Sequence, residues 1–189
     1  MKEELYAFVF KGLLTESALD RTGRVKHNHS ELDSIIAERL SIDLLDEVLV
    51  ARAKRMATVY TVIAAFENTV RDFISRLLLE SVGESWWETS VSEKIRSKAH
   101  TRREEENKIR WHTPRGDAYI NYTDFGDLTS IIQQNWPIFE PHLHSIEWVR
   151  QLIHTLERSR NVIMHSGELQ NEDIERIGTS IRDWIRQVG

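Results

Sequence analysis

The stretch Glu157-Arg158-Ser159-Arg160-Asn161-Val162-Ile163-Met164-His165-Ser166-Gly167 closes a run with helical spacing. Trp148, Val149, Leu152, Ile153, Leu156 and Ile163 recur at steps that place them on one face. Arg160 falls inside this apolar stripe. A guanidinium is always charged, and burying it unpaired is expensive. Arg160 therefore needs a dedicated anionic partner, or a face that lines an interface or cleft holding one. His165 follows five residues later. At about 100° per residue, an unbroken helix turns it roughly 140° away from Arg160. The two side chains meet only if the helix ends between them, or if two chains each supply a pair. Gly167 favours a helix end here.

Working outward, 189 residues suit one compact domain with a real core. Hydrophobic residues at 40% and charged residues at 29% read as soluble and globular. The chain has no cysteine, which excludes a disulfide scaffold, thiolate zinc and a cysteine nucleophile, and suits a reducing cytoplasm. No run approaches the ~20 apolar residues of a membrane span, and no signal peptide is expected at Met1-Lys2-Glu3-Glu4. The net charge of −5 makes the chain a poor general binder of nucleic acid, so any RNA site must be a local positive patch.

That patch lies in residues 94–115. Lys94, Arg96, Lys98, Arg102, Arg103, Lys108, Arg110 and Arg115 oppose only Glu104, Glu105 and Glu106, for a local charge of +5 against −10 in the remainder. A solvated helix laced by ion pairs explains the Glu run. Arg102, Arg103, Arg110 and Arg115 are the expected phosphate contacts.

Residues 1–29 read as an appendage, with an apolar Leu5–Leu14 that fits strand or helix and a polar loop over Arg21–His29. Residues 30–189 read as one domain. Ser30 is the expected cap of a short helix over Glu31–Leu40. From Ile42 to Leu79, Leu45, Leu49, Met56, Val59, Ile63, Phe66, Val70, Phe73, Ile74 and Leu77 keep helical spacing, as one very long helix or two in tandem, with Gly83 as the stop. Glu67 sits on the shoulder of this face beside Asn68 and Arg71. Trp86 and Trp87 read as core-edge anchors. Pro114–Phe125 is a loop, Asp127–Trp136 a helix closed by Pro137 and Pro141, and a new helix starts near Ser145. Asn171 is the expected cap of a last helix whose buried stripe is Ile174, Ile177, Ile181, Trp184, Ile185 and Val188. The pairs His27/His29 and His142/His144 lack the companions of a metal site, and no metal or other cofactor is expected.

Arg160-Asn161 followed by His165 has the form R-N-x-x-x-H, and with its helical context it resembles the signature of the HEPN superfamily. A second block, Arg115-Gly116, Ile120 to Leu128, Ile131-Ile132, Asn135-Trp136 and Phe139, is similar to the HEPN subfamily found beside the PIN nuclease of a eukaryotic nuclear RNA-surveillance endoribonuclease. The resemblance spans about residues 45–185. It implies an all-α fold, a HEPN-like antiparallel helical bundle with a long helical and loop insertion at about 84–140. It implies a ribonuclease acting as a homodimer with a composite site, in which Arg160 stabilises the transition state, His165 moves protons and Asn161 holds the phosphate or orients the histidine. Glu67, Asn68 and Arg71 become supporting residues, because in this superfamily that helix packs on the motif helix and supplies a polar group there. The chemistry suits those residues. RNA carries its own 2′-hydroxyl nucleophile, an imidazole with a pKa near about 6.5 transfers protons at neutral pH, and a guanidinium grips a phosphorane in two hydrogen bonds. RNA is the implied partner, with a regulatory or antitoxin protein beside it. Gly167, however, stands where many two-gene HEPN toxins carry the Tyr that receives AMP. A catalytically silent RNA-binding or dimerisation module is the alternative that the same resemblance leaves open.

Overall fold

Gly83 takes φ +91°, a backbone setting that favours glycine, and the longest helix of the chain stops there. The structure is a computed structural model that describes residues 11, 12, 15 and 29–188. Among these are eight α-helices, two short 3-10 turns and no strand. In order they are α1 (His29–Arg39), α2 (Glu47–Val82), α3 (Trp86–Ser90), α4 (Glu93–Asn107), α5 (Phe125–Gln134), α6 (Trp136–Leu143), α7 (Ile146–Met164) and α8 (Asn171–Val188). The all-α expectation holds. The reading of Leu5–Leu14 lies outside the described residues except at Lys11 and Gly12, and those of Arg21–Asn28 and the His27 side chain lie wholly outside them, as do the side chains of His29 and Ser30.

Contacts divide the chain into two compact units, Met1–Val50 and Ala51–Gly189. In the first, α1 is followed by a 3-10 turn, Ile42–Leu44, and the start of α2, where the Asp46 carboxylate accepts the Leu49 amide at 3.0 Å. Leu45 and Leu49, expected on a buried face, are exposed. Periodicity reports which residues share a face, and says nothing of whether another element covers it.

The second unit holds the core. The run from Ile42 to Leu79 resolves into a single helix from Glu47 on, and its buried face carries Met56, Val59, Ile63, Phe66, Val70, Phe73, Ile74, Leu77 and Leu78. Trp184 on α8 is the hub. It meets Phe66 and Phe73 edge-on at 5.4 and 5.7 Å and stacks with Trp148 of α7 at 6.1 Å. On α8, Ile177 and Trp184 are buried and Ile174, Ile181 and Val188 half-buried, but Ile185 turns out to solvent. Asn171 does not cap this helix. The Gln170 carbonyl accepts its first bonds from Asp173 and Ile174, and the Asn171 side-chain oxygen takes a 2.6 Å bond from Arg55.

Residues 84–140, expected as an insertion, hold α3, α4, a loop with the 3-10 turn Tyr119–Tyr122, α5 and most of α6. Trp87 is buried, as an anchor should be, and its ring lies against Trp86 and Tyr119. Pro137 and Pro141 do not close the preceding helix. Pro137 opens α6, where a missing N–H costs nothing, and Pro141 lies inside α6. The break comes at Asn135, whose side-chain amide donates to the Ser90 and Ile131 carbonyls at 2.8 and 2.9 Å.

Candidate functional site

Ser145 caps α7, its hydroxyl accepting the Trp148 amide at 3.2 Å. Val149, Leu152, Ile153 and Leu156 bury the core face. The far end closes in a Schellman pattern: the Ser166 amide donates to Ile163 at 2.9 Å and the Gly167 amide to Val162 at 2.8 Å. The left-handed residue is Ser166, at φ +60°, one position before the glycine expected to end the helix. Gly167 is required for another reason. A Cβ there would stand 2.7 Å from Val162 Cγ1 and 2.9 Å from the Val162 carbonyl oxygen. The turn that follows is tied to α2 by the Leu169 amide on Met56 Sδ (3.3 Å) and by Arg52 with Glu168 (3.4 Å).

The helix runs to Met164, so it ends too late to swing His165 round to Arg160. Asn161 and His165 are exposed and line a groove of about 380 Å³ with His154, Glu157, Arg158 and Val162. These six positions share one face of α7. Arg160 is not among them. It is half-buried, its guanidinium carbon 5.8 Å from the centroid of Phe125, and its Nε is buried without a hydrogen-bond partner. Among the described residues Arg160 has no anionic partner. Of the two ways in which Arg160 and His165 can meet, only a second chain is left.

Glu67, Asn68 and Arg71 do come together. The Arg71 guanidinium donates to Glu67, to Asn68 Oδ1 at 2.9 Å and to the Thr123 carbonyl at 3.0 Å. Glu67 and Arg71 form an i to i+4 ion pair, and it does not lie on a solvated flank, since Glu67 and Thr123 are both buried. Thr123 lies two residues before Phe125, so the supporting set reaches Arg160 through that short segment. Other cations hold the same segment. Arg102 donates to the Tyr122 carbonyl at 2.7 Å and to Asp124 at 3.2 Å, and Lys98 bonds Asp124 at 2.7 Å and Asp127 at 2.9 Å. Asp124 and Asp127 exchange backbone and side-chain bonds as a capping box at the start of α5. Burial pushes the Asp124 carboxyl up, but Lys98, the Asp127 amide and Arg102 outweigh it and hold the group well below the usual carboxylate range. Burial likewise opposes the charge on Lys98, and the two aspartates overcome it and raise its ammonium.

The four basic residues singled out in sequence therefore differ. Arg102 is engaged internally. Arg103 stands 4.7 Å over the Tyr119 ring, Arg115 pairs with Glu106 at 2.6 Å, and Arg110 is exposed without a partner among the described residues. Sequence reading passed over Trp111, which is 86% exposed beside Arg110, with its ring 5.8 Å from that of His112. It also passed over His154 and Arg158. Counting back from His165 at helical steps would have placed both on its face. His142 meets the edge of Phe73 and His144 ends α6 at φ +57°. Among the described residues no His, Asp or Glu cluster could hold a metal ion, and no helix is long and apolar enough to cross a membrane.

No curated protein and no solved structure matches the chain. A family model described as Swt1-like HEPN matches residues 62–189, a span that takes in the core helices, the groove and the Arg160 surroundings. With more than half of its length covered by that match, the chain belongs to the Swt1-like HEPN family.

Proposed function

We propose that the protein is a metal-independent endoribonuclease of HEPN type, working as a homodimer in which each copy supplies Arg160, Asn161 and His165. One observation carries the reading: Asn161 and His165 face an open groove, while Arg160, which has no anionic partner among the described residues, lies off that groove on the same helix. One chain thus offers a proton carrier and a phosphate gripper that do not meet, and two copies of α7 supply both to one phosphodiester. The His165 imidazole takes the proton from the 2′-hydroxyl or returns one to the leaving 5′-oxygen. The Arg160 guanidinium neutralises the phosphorane, and Asn161 donates to a phosphate oxygen or orients the imidazole. The products are a 2′,3′-cyclic phosphate (or the 3′-phosphate) and a 5′-hydroxyl. Arg103, Arg110 and Arg115, with Trp111, would guide the strand, while Arg102 shapes the surface that carries them. A cell must survive such an activity. A regulatory or antitoxin partner, a cytoplasmic site of action and a role in toxin, stress or phage-defence responses therefore belong to the same proposal.

Incubation of purified protein with structured RNA in EDTA, beside His165→Ala, tests it. Cleavage by the unmodified chain alone is the expected result. Equal cleavage by both, or by neither, rejects the enzyme reading. The half-buried position of Arg160 beside the Phe125 ring favours a second reading, a silent RNA-binding or dimerisation module. Binding without cutting, lost on charge reversal at Arg103 and Arg110, would support it.

A further inference from the structure

A second cavity, of about 350 Å³, opens between α3 and α4 over the Tyr119–Tyr122 turn. Its walls are rings. Trp87 and Tyr119 lie nearly parallel with centroids 5.8 Å apart, and Tyr119 and His100 follow at 6.2 Å. His100 is exposed, so the ladder ends on a ring open to solvent. The polar groups are few and unlike those of the groove on α7. Glu93 is paired with Arg96, whose Nε also donates to the Val91 carbonyl at 3.1 Å. Glu88 and Ser97 line the cavity, are exposed, and have no partner among the described residues.

Two carboxylates and one occupied arginine make a poor seat for a phosphate. A flat heterocycle with N–H groups on its edge fits all of these features. It can stack on the exposed imidazole at the end of the ladder, and the Glu88 carboxylate can accept two parallel N–H bonds. Guanine offers such a pair from N1 and N2, whereas uracil offers one N–H and cytosine and adenine one amino group. Arg103, against Tyr119, supplies positive charge beside the cavity for the sugar-phosphate chain.

We infer that this cavity captures an unpaired guanine of the RNA strand, so that the protein selects its substrate at a site separate from the Arg160–His165 chemistry. The inference rests on the ribonuclease reading. A free guanine nucleotide shares this chemistry, and the experiment includes it. The full chain carrying His165→Ala, which leaves both walls of the cavity untouched, is titrated by fluorescence anisotropy against a labelled oligouridine and the same oligomer with one central G. The titration is repeated with Glu88→Ala and with His100→Ala, both at exposed helical positions where alanine folds well. Guanosine 5′-monophosphate is the competitor. The expected result is about tenfold tighter binding of the G-containing strand, a preference that either substitution abolishes. Equal binding of both strands, or a preference that neither substitution changes, overturns the guanine site and leaves the nuclease reading standing. Full competition by the mononucleotide, without a preference among strands, overturns the assignment to RNA. No binding of either strand overturns the ribonuclease reading itself.

Discussion

Asp124→Asn keeps the shape of the side chain and removes its charge. The carboxylate accepts bonds from Lys98 at 2.7 Å, Arg102 at 3.2 Å and the Asp127 amide at 3.1 Å. Asparagine preserves the last of these, because it caps helices as well as aspartate does. Two charge-assisted bonds are lost, each worth about 1.5–3 kcal/mol when well shielded. The side chain is 30% exposed and Asp127 still holds Lys98, so screening and the remaining pair reduce the sum to about 2 kcal/mol. In a chain of this length that is a drop of about 4–8 °C in Tm. The pH dependence has a definite sign. The folded-state pKa of Asp124 is depressed, so its contribution is complete above the unfolded value of about 3.9 and is lost as pH falls towards the folded value. The gap between wild type and variant should therefore be full at pH 7 and close progressively in acid below about pH 4. Urea and thermal unfolding followed by circular dichroism across that range measure it. Melting points within about 1 °C at pH 7, or a gap that stays constant in acid, would refute the account of the clasp.

Further predictions concern the helix end and the charges. Gly167→Ala should cost about 1–3 kcal/mol, because the new Cβ meets Val162 backbone and side chain, and should lower cleavage by displacing His165; calorimetry and a cleavage assay report the two effects separately. Arg160→Lys keeps the charge but loses the planar fork, so the cleavage rate should fall by about 10²-fold while RNA affinity barely changes; an unchanged kcat would remove Arg160 from the transition state. His165→Ala should reduce the rate by about 10²–10⁴-fold, and retention of wild-type cleavage would assign proton transfer elsewhere. Arg110→Gln should weaken binding of all single strands alike and lower the salt slope by about 0.7, and an unaltered slope would take Arg110 off the strand path.

Helical spacing alone placed the buried face of α2 between Met56 and Leu77 and that of α7 between Val149 and Leu156, and single residues marked ends correctly at Gly83 and Ser145. What spacing could not reveal was which faces find a partner. Leu45, Leu49 and Ile185 fit their stripes and remain exposed. Local rules also competed. Asn171 has the chemistry of a cap, but Arg55 takes its side-chain oxygen, and two prolines that read as stops fall within a helix of their own. At the site, Arg160 and His165 diverge as the helical repeat alone requires. The clasp of Lys98, Arg102 and Arg71 around Tyr122–Asp127 was illegible, since it joins residues 20 to 52 positions apart in sequence. It also turns Arg102, which reads in sequence as a phosphate contact, into part of the framework.

The wall of the groove beside His165 comes from successive turns of one helix, on the side facing away from Val149, Leu152, Ile153 and Leu156. Substitutions at His154, Arg158 or Val162 thus alter what the groove welcomes without opening voids in the interior. On the ribonuclease reading, the fit of a strand against this groove can therefore change at little thermodynamic expense, while the fold beneath stays constant.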